Sequence, residues 1–316
     1  MKNVMKAATL ESKFPLLAVE NGCIVSKEAD VTVAFRVELP ELFSVTGSEY
    51  EAIHSAWHKA VKVLPEYSIV HKQDFFIEEK YRPETDRDDL SFLSRSFERH
   101  FNERPFLNHF CYLFLTKTTK ARSRQESTFS TLCKGRLVPK EIEDRETVTR
   151  FLEAVGQFEK IMNDSGFVTL RRLTTDEITG TERSAGIVEK YLSLSQHDTT
   201  VLKDIQLNPE EMRIGDDILC LHTLSDTEDL PGKVATDSRY ERLSTDRSDC
   251  RLSFAAPVGL LLDCNHCYNQ YIFIDDHGEN LKRFEQTARN MQSLSRYSRS
   301  NQINKAWIEE YLNEAH

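Results

Sequence analysis

The chain has 316 residues, and its 51 acidic and 41 basic residues give a formal charge of -10. Hydrophobic residues make up 39% and charged residues 29%, which excludes a uniformly disordered chain because a core can form. The negative charge excludes a general electrostatic attraction to nucleic acid. No apolar run approaches the ~20 residues that span a bilayer, and charged residues interrupt the first 20 positions where a signal peptide would lie.

The cysteines indicate where the protein works. There are seven, an odd number at irregular spacings, in a chain long enough to fold without disulfides. This usage fits free thiols in a reducing compartment better than a disulfide framework. We therefore expect a soluble cytoplasmic protein, with any membrane association peripheral.

The first 80 residues are rich in predicted strands. Apolar runs at 14–20, 23–25 and 31–37 are short, and Asn21-Gly22 between the first two is a strong hairpin signal. Helical spacing follows from about residue 52 to residue 64, before a strand at 67–77. These patterns predict a strand-rich subdomain with one helix over residues 1–80.

Residues 81–197 alternate helices and strands. A helix opens at 86–89, a strongly apolar strand covers 110–115, and 143–164 is the clearest amphipathic helix. The first of these helices carries an apolar stripe made of Leu90, Leu93, Phe97 and Phe101. Short links between these elements predict an α+β fold of antiparallel or mixed sheets with ferredoxin-like (α/β-sandwich) elements.

Residues 198–316 combine short strands with C-terminal helices. The run 268–274 reads as a buried strand, and Asp275-Asp276 then reads as a turn and helix N-cap. A last helical stretch, 303–316, has neither a glycine cap nor a proline stop. We therefore expect a chain cut from a longer protein, with this third segment leading toward an absent domain.

No nucleotide-binding motif is present. Gly232-Lys233 is the only Gly-Lys pair, but Thr227 stands where a P-loop needs its first glycine and Val234 replaces the hydroxyl residue. The sequence therefore predicts no catalytic residue in this segment.

One cluster could hold a metal. Cys264, His266 and Cys267 offer three soft ligands, and Cys220, His222 or Cys250 could complete a tetrahedral zinc site. No second pair with zinc-ligand spacing lies nearby, so we expect structural thiols and assign no metal residue. A self-contained Cys/His metal-dependent enzyme stays open as an alternative.

Two groups of residues form a candidate interaction surface. Residues 117–131 are basic and rich in Ser and Thr, which predicts an exposed loop, and the tail adds further arginines and large apolar side chains. Binding of single-stranded DNA through the basic loop is a further alternative. The surface consists of Lys117, Lys120, Arg122, Arg124, Arg296, Arg299, Trp307 and Tyr311.

Five long stretches carry a family resemblance. They are residues 14–35 (FPLLAVENGCIVSKEADVTVAF), 91–109 (SFLSRSFERHFNERPFLNH), 111–120 (CYLFLTKTTK), 243–259 (LSTDRSDCRLSFAAPVG) and 288–316 (ARNMQSLSRYSRSNQINKAWIEEYLNEAH). Together they resemble the N-terminal region of TraG-type conjugation ATPases of Bacteroides-type conjugative transposons. Such proteins are cytoplasmic ATPases of type IV secretion systems that power assembly of the mating channel and transfer of DNA.

The resemblance implies a docking role. In these ATPases a P-loop motor follows a non-catalytic N-terminal region, which docks on inner-membrane channel components and helps to order the oligomer. It thus implies as partners the channel components, the protein's own motor domain and further copies of the chain, at the inner membrane's cytoplasmic side. It also implies that ATP and magnesium bind only in the motor, so that this segment holds no cofactor. The motor's nucleotide-binding motifs have no counterpart among these 316 residues.

Overall fold

A seven-stranded antiparallel sheet organises the protein. The computed structural model describes residues 14–41, 44–80, 91–119, 145–182, 184–193, 204–223, 238–239, 244–246, 251–255 and 257–294. Its strands are β1 (Leu16–Glu20), β2 (Cys23–Ser26), β3 (Val31–Glu38), β4 (Ser68–Lys80), β5 (Pro105–Lys117), β6 (Thr169–Arg172) and β12 (His266–Ile274). Their order in the sheet is β1-β2-β3-β5-β4-β12, and β6 pairs with the second half of β3.

The centre of the sheet has ferredoxin-like topology. Helix α1 (Gly47–Lys62) connects β3 to β4, and helix α3 (Arg145–Asp164) lies between β5 and β6. The four strands stand in the order β6-β3-β5-β4, and every neighbouring pair is antiparallel. This is the split β-α-β arrangement. The predicted α+β class and its ferredoxin-like element are confirmed.

Two additions widen this centre. The β1–β2 hairpin joins one edge because β2 pairs with β3. Its turn consists of Asn21 and Gly22, whose φ angles of 52° and 72° suit a two-residue turn. Strand β12 joins the other edge, on β4. The sheet therefore takes strands from all three predicted subdomains and crosses both predicted boundaries.

The larger core lies between the sheet and helices α1 and α3, on what we call the helix face. A capping box starts α1, in which the Thr46 backbone N–H donates to the Glu49 carboxylate at 2.7 Å. Trp57 of α1 stacks on Phe254 with ring centroids 4.4 Å apart and meets Phe158 of α3 edge-on at 5.8 Å. The fully buried large side chains here include Phe35, Tyr50, Ile53, Leu113, Leu115, Phe151, Phe158 and Met162.

A smaller core covers part of the opposite face, which we call the outer face. Two short helices, α4 (Thr175–Thr179) and α5 (Ile187–Ser193), lie over it beside β1 and β2. Burial ends toward β12, so the outer face is only partly covered. The buried residues of this core are Ile24, Ala34, Phe75, Tyr112, Phe114, Leu173, Ile178 and Ile187.

The remaining elements are peripheral. Asp276 begins helix α6, since its carboxylate accepts the Glu279 backbone N–H at 3.0 Å, which confirms the predicted N-cap. No helix in the described part of the chain is long and apolar enough to cross a membrane. The other described elements are helices α2 (Phe92–Asn102) and α6 (His277–Leu294), the 3-10 helix Val258–Leu261, and strands β7 (Ile205–Leu207), β8 (Met212–Ile214), β9 (Asp217–Leu219), β10 (Ser238–Arg239) and β11 (Arg251–Leu252).

Strand β12 corrects one prediction. The run 268–274 was expected to be a buried strand, but each of its side chains is half-buried or exposed. It lies at the sheet edge, where one face meets the core and the other meets solvent. A short apolar run is compatible with either position, so the pattern alone did not separate them. The predicted helix at 303–316 lies outside the described residues.

Candidate docking surface

The two longest strands extend beyond the rest of the sheet. β4 and β5 pair over 13 residues each, from Ser68 opposite Lys117 to Lys80 opposite Pro105. On one side β12 ends opposite Phe76, and on the other β3 ends opposite Cys111. The end of β4 (residues 77–80) and the start of β5 (residues 105–108) therefore form a two-stranded ribbon with no described strand beside it.

Helix α2 is carried at the tip of this ribbon, between β4 and β5. The Ser91 hydroxyl caps it by accepting the Ser94 backbone N–H at 3.2 Å, and Arg99 lies in its last turn, where positive charge interacts favourably with the helix dipole. The predicted helix is thus present, although its first described residue is Phe92. The predicted stripe residue Leu90 lies outside the described residues.

The apolar side of α2 faces solvent. Phe92, Leu93 and Phe97 are 85%, 79% and 62% exposed, and no residue of the helix is buried. Phe97 packs only 4.5 Å from the ring of Phe101, and Phe106 at the start of β5 is also exposed. We call Phe92, Leu93, Phe97 and Phe101 the α2 stripe. The sequence predicted three of these residues on one side of a helix, but nothing in it indicated that this side stays bare.

A second exposed aromatic group lies on the outer face near β12. His71 stacks on Tyr271 with centroids 4.1 Å apart, and Phe273 continues the stack at 6.3 Å from Tyr271. Burial lowers the pKa of His71, and it outweighs the opposing effect of the hydrogen bond between its Nε2 and Asn269 Oδ1 at 2.8 Å. The ring is therefore neutral at pH 7. Tyr271 and Phe273 are each more than half exposed.

An apolar recess adjoins this stack. It measures about 350 Å³ and lies between the β1–β2 hairpin, helix α5 and the outer face. Within the recess the hydroxyl groups of Thr32 and Thr116 form a hydrogen bond to each other, with their oxygens 2.8 Å apart. Such a recess can accept an apolar side chain, and it offers no charged group to a ligand. Its lining consists of Phe14, Pro15, Leu16, Ile24, Thr32, His71, Phe114, Thr116, Ile187 and Val188.

The helix face contains a buried polar cluster. Lys72 Nζ lies 2.5 Å from one carboxylate oxygen of Asp74, and His109 Nε2–H donates to the other at 2.8 Å. Burial alone would raise the pKa of Asp74, but the His109 hydrogen bond and the Lys72 charge outweigh it and hold that pKa below its ordinary value. Asp74 is therefore an ionised, doubly partnered carboxylate at neutral pH.

The cysteine beside this cluster is chemically quiet. Burial raises the pKa of Cys111 far above its ordinary value, and the side chain is almost inaccessible. The thiolate is the nucleophilic form of cysteine, so a buried and protonated Cys111 is not an activated nucleophile. His109 opens on a polar recess of about 310 Å³, but the arrangement reads as a structural ion pair.

The residues that could have formed a zinc site do not converge within the described part of the chain. His266 Nδ1–H donates to the Cys264 carbonyl oxygen at 2.7 Å, and the imidazole ring stacks on Phe76 at 4.6 Å. Cys264 and Cys267 are exposed rather than core thiols, which corrects that expectation. No three His, Cys, Asp or Glu side chains within the described residues form a metal-binding group, and Cys250 lies outside them.

The predicted basic surface is corrected at its first residue. Lys117 ends β5 and is only 6% exposed; its ammonium donates to the Glu66 carbonyl oxygen and lies 5.4 Å from the centre of the Tyr67 ring. A lysine can be buried when carbonyl oxygens and an aromatic face surround its charge. The other predicted surface residues lie outside the described part of the chain; they are Lys120, Arg122, Arg124, Arg296, Arg299, Trp307 and Tyr311.

Comparison with known proteins gives one family match. A family model described as "Domain of unknown function, B. Theta Gene description (DUF3875)" matches residues 3–55, which include the β1–β2 hairpin, β3 and the start of α1. No curated protein matches the chain. The matched part is the edge of the sheet opposite β12, and it contains neither α2 nor the ribbon.

Proposed function

We propose that this chain is the N-terminal docking and assembly module of a conjugative-transfer ATPase of the TraG type. The observation that carries the docking role is the α2 stripe, a mostly aromatic surface exposed to solvent on the helix at the end of the ribbon. Contiguous exposed apolar surface on an otherwise charged protein marks an interaction site. The TraG-type identity rests on the resemblance of the five stretches.

The partner of the α2 stripe in this proposal is an inner-membrane component of the conjugation channel. Aromatic side chains supply most of the affinity at protein interfaces, and charged neighbours set specificity. Arg95 and Arg99 lie on the side of α2 away from Leu93 and Phe97, where Arg99 pairs with Glu103 at 3.7 Å. The module would thereby hold its motor at the cytoplasmic side of the membrane, while ATP and magnesium act in the motor.

The decisive experiment compares two variants of the whole ATPase in conjugating cells. Leu93→Ser with Phe97→Ser removes the centre of the α2 stripe, and Arg95→Ser places the same residue on the opposite side of the same helix. Because buried hot-spot side chains contribute about 2 kcal/mol or more each, the first variant should weaken docking by about 100-fold or more.

The readouts are DNA transfer between cells and co-purification with the inner-membrane channel proteins. We expect both to collapse for the stripe variant and to persist for Arg95→Ser. Normal transfer by the stripe variant would refute docking through α2. The parent's identity has a separate check: a GxxxxGK[ST] motif encoded beyond the codon for His316 is expected, and a stop codon directly after that codon would contradict it.

A further inference from the structure

The two outer edges of the sheet are built differently. On the β1 side, the edge strand has five residues, its pairing with β2 shifts register between Leu16 and Ala18, and it ends in Glu20. Short length, a bulge and a charge are devices that keep an edge strand from pairing with another chain. This edge is protected.

The β12 edge lacks these devices. Its nine residues, HCYNQYIFI, contain no Asp, Glu, Lys, Arg or Pro, and its register with β4 runs without a shift from His266 to Ile274. In an antiparallel sheet every second residue of such a strand directs its N–H and C=O groups away from the paired neighbour. No strand within the described residues meets those groups.

We propose that β12 pairs antiparallel with β12 of a second copy, so that two chains share one continuous sheet. This refines the assembly part of the proposed function, but it rests on a different surface from the α2 stripe. The first of the next two points favours a second copy over a strand of another protein, and the second favours pairing at this edge.

The first point is the self-complementarity of the strand. A twofold axis at Gln270 pairs all nine residues, and every resulting cross-strand pair is free of Asp, Glu, Lys and Arg, so no like charges meet. On the helix face this register sets Tyr268 against Ile272. On the outer face it sets Phe273 against Cys267 and Tyr271 against Asn269.

The second point is that the exposed side chains are already ordered. Tyr271 is stacked on His71, whose Nε2 contacts Asn269 Oδ1, and this same Asn269 oxygen accepts from Gln73 at 2.7 Å. An edge whose side chains are fixed before association loses little conformational entropy on pairing. The aromatic stack would then continue from one copy into the other.

The first test measures self-association of the 316-residue chain by sedimentation equilibrium. We expect a dimer, and we expect Tyr271→Lys with Phe273→Lys to raise its Kd by about tenfold or more, because the paired strands would then carry four lysines on one face, with the two that replace Tyr271 diagonally adjacent. Leu17→Lys, an exposed position on the β1 edge, is the matched control and should leave the Kd unchanged. A monomer at all concentrations, or equal weakening by both variants, would refute the proposal.

The second test reads the register. In a Cys264→Ser, Cys267→Ser background, Gln270→Cys should form a disulfide-linked dimer under mild oxidation, because directly opposed residues have Cα atoms about 4.5–5.5 Å apart. Leu17→Cys in the same background should form no disulfide-linked dimer. The reverse result would place the interface at the other edge.

Salt separates this interface from one held by ion pairs. Two chains of formal charge -10 repel each other, so raising the salt concentration should strengthen a dimer joined through uncharged strands. Weakening by salt would contradict the β12 pairing. The Leu93→Ser, Phe97→Ser variant should dimerise normally, which keeps a failure at β12 distinct from a failure of α2 docking.

Discussion

Helices α2 and α3 have the same kind of sequence and opposite surroundings. Each is amphipathic with a phenylalanine-rich side, yet Phe151 and Phe158 of α3 are completely buried while Phe92 and Phe97 of α2 are mostly exposed. The difference comes from position. Helix α3 lies across the helix face of the sheet, whereas α2 is inserted where the ribbon has passed the last neighbouring strand. An amphipathic sequence therefore predicts that a helix has an apolar side, and the position of the helix in the fold determines whether that side is buried within this chain.

The largest expected effect is a difference in unfolding free energy between the buried side of α3 and the exposed α2 stripe. Phe158→Ala should lower the free energy of unfolding by about 3–5 kcal/mol, because it empties a fully packed position beside Trp57. Phe97→Ala on α2 should change it by less than about 0.5 kcal/mol, since its ring is largely in solvent. Urea unfolding of both variants measures the difference, and equal losses would mean that α2 is packed in solution.

The same contrast applies to ion pairs. Asp74→Ala leaves Lys72 charged and buried, so we expect a loss of about 3–5 kcal/mol in the free energy of unfolding. Glu103→Ala breaks the exposed pair with Arg99 on α2 and should cost less than about 1 kcal/mol. A third variant, Lys72→Met with Asp74→Leu, should recover much of the first loss; failure to recover would assign that loss to packing rather than to the stranded charge.

Acid should destabilise the fold mainly through the buried ion-pair cluster on the helix face. The pKa of Asp74 is lowered in the folded state, so its contribution to stability is complete above the unfolded value of about 4 and is lost as the pH falls below it. Chemical unfolding at stepwise lower pH should show a steeper loss for the wild type than for Asp74→Asn, whose side chain does not titrate. The dependence of stability on pH should be the same for Glu103→Gln as for the wild type. A flatter dependence for Glu103→Gln would show that the acid sensitivity lies in α2.

The smallest expected effect concerns the cap of α2. Ser91→Ala removes the hydroxyl that accepts the Ser94 N–H, which should destabilise the helix locally by about 1 kcal/mol. Hydrogen exchange should therefore quicken in the first turn of α2, while the urea midpoint of the whole chain stays fixed. A shifted midpoint would show that α2 folds as one unit with the core.

Much of the fold was predictable from local patterns. The Asn21-Gly22 hairpin, the α3 amphipathic helix and the Asp276 cap each depend on residues close together in sequence, and each is present. The alternation of helices and strands was enough to predict a ferredoxin-like element because short links allow few topologies.

What was missed depends on distant neighbours. The exposure of β12, of α2 and of Cys267 follows from which strand stands beside which, and one sequence does not reveal that pairing. Lys117 was misplaced for a related reason: its position in a basic stretch suggested solvent, but β5 continues through it and brings it against the Glu66 carbonyl. The candidate site was thus the part least accessible to sequence patterns.

The length of the β4–β5 strand pair has a mechanical consequence. Thirteen residues at about 3.4 Å each make a lever roughly 40 Å long. Its inner portion carries Lys72, Asp74 and His109, and its far end carries α2. Only Glu103 and Arg104 separate α2 from β5, and β5 pairs with β4 over its whole length, so a load applied at α2 would pass along β5 to the middle of the sheet. A partner bound at α2 would therefore be mechanically connected to the core through β5.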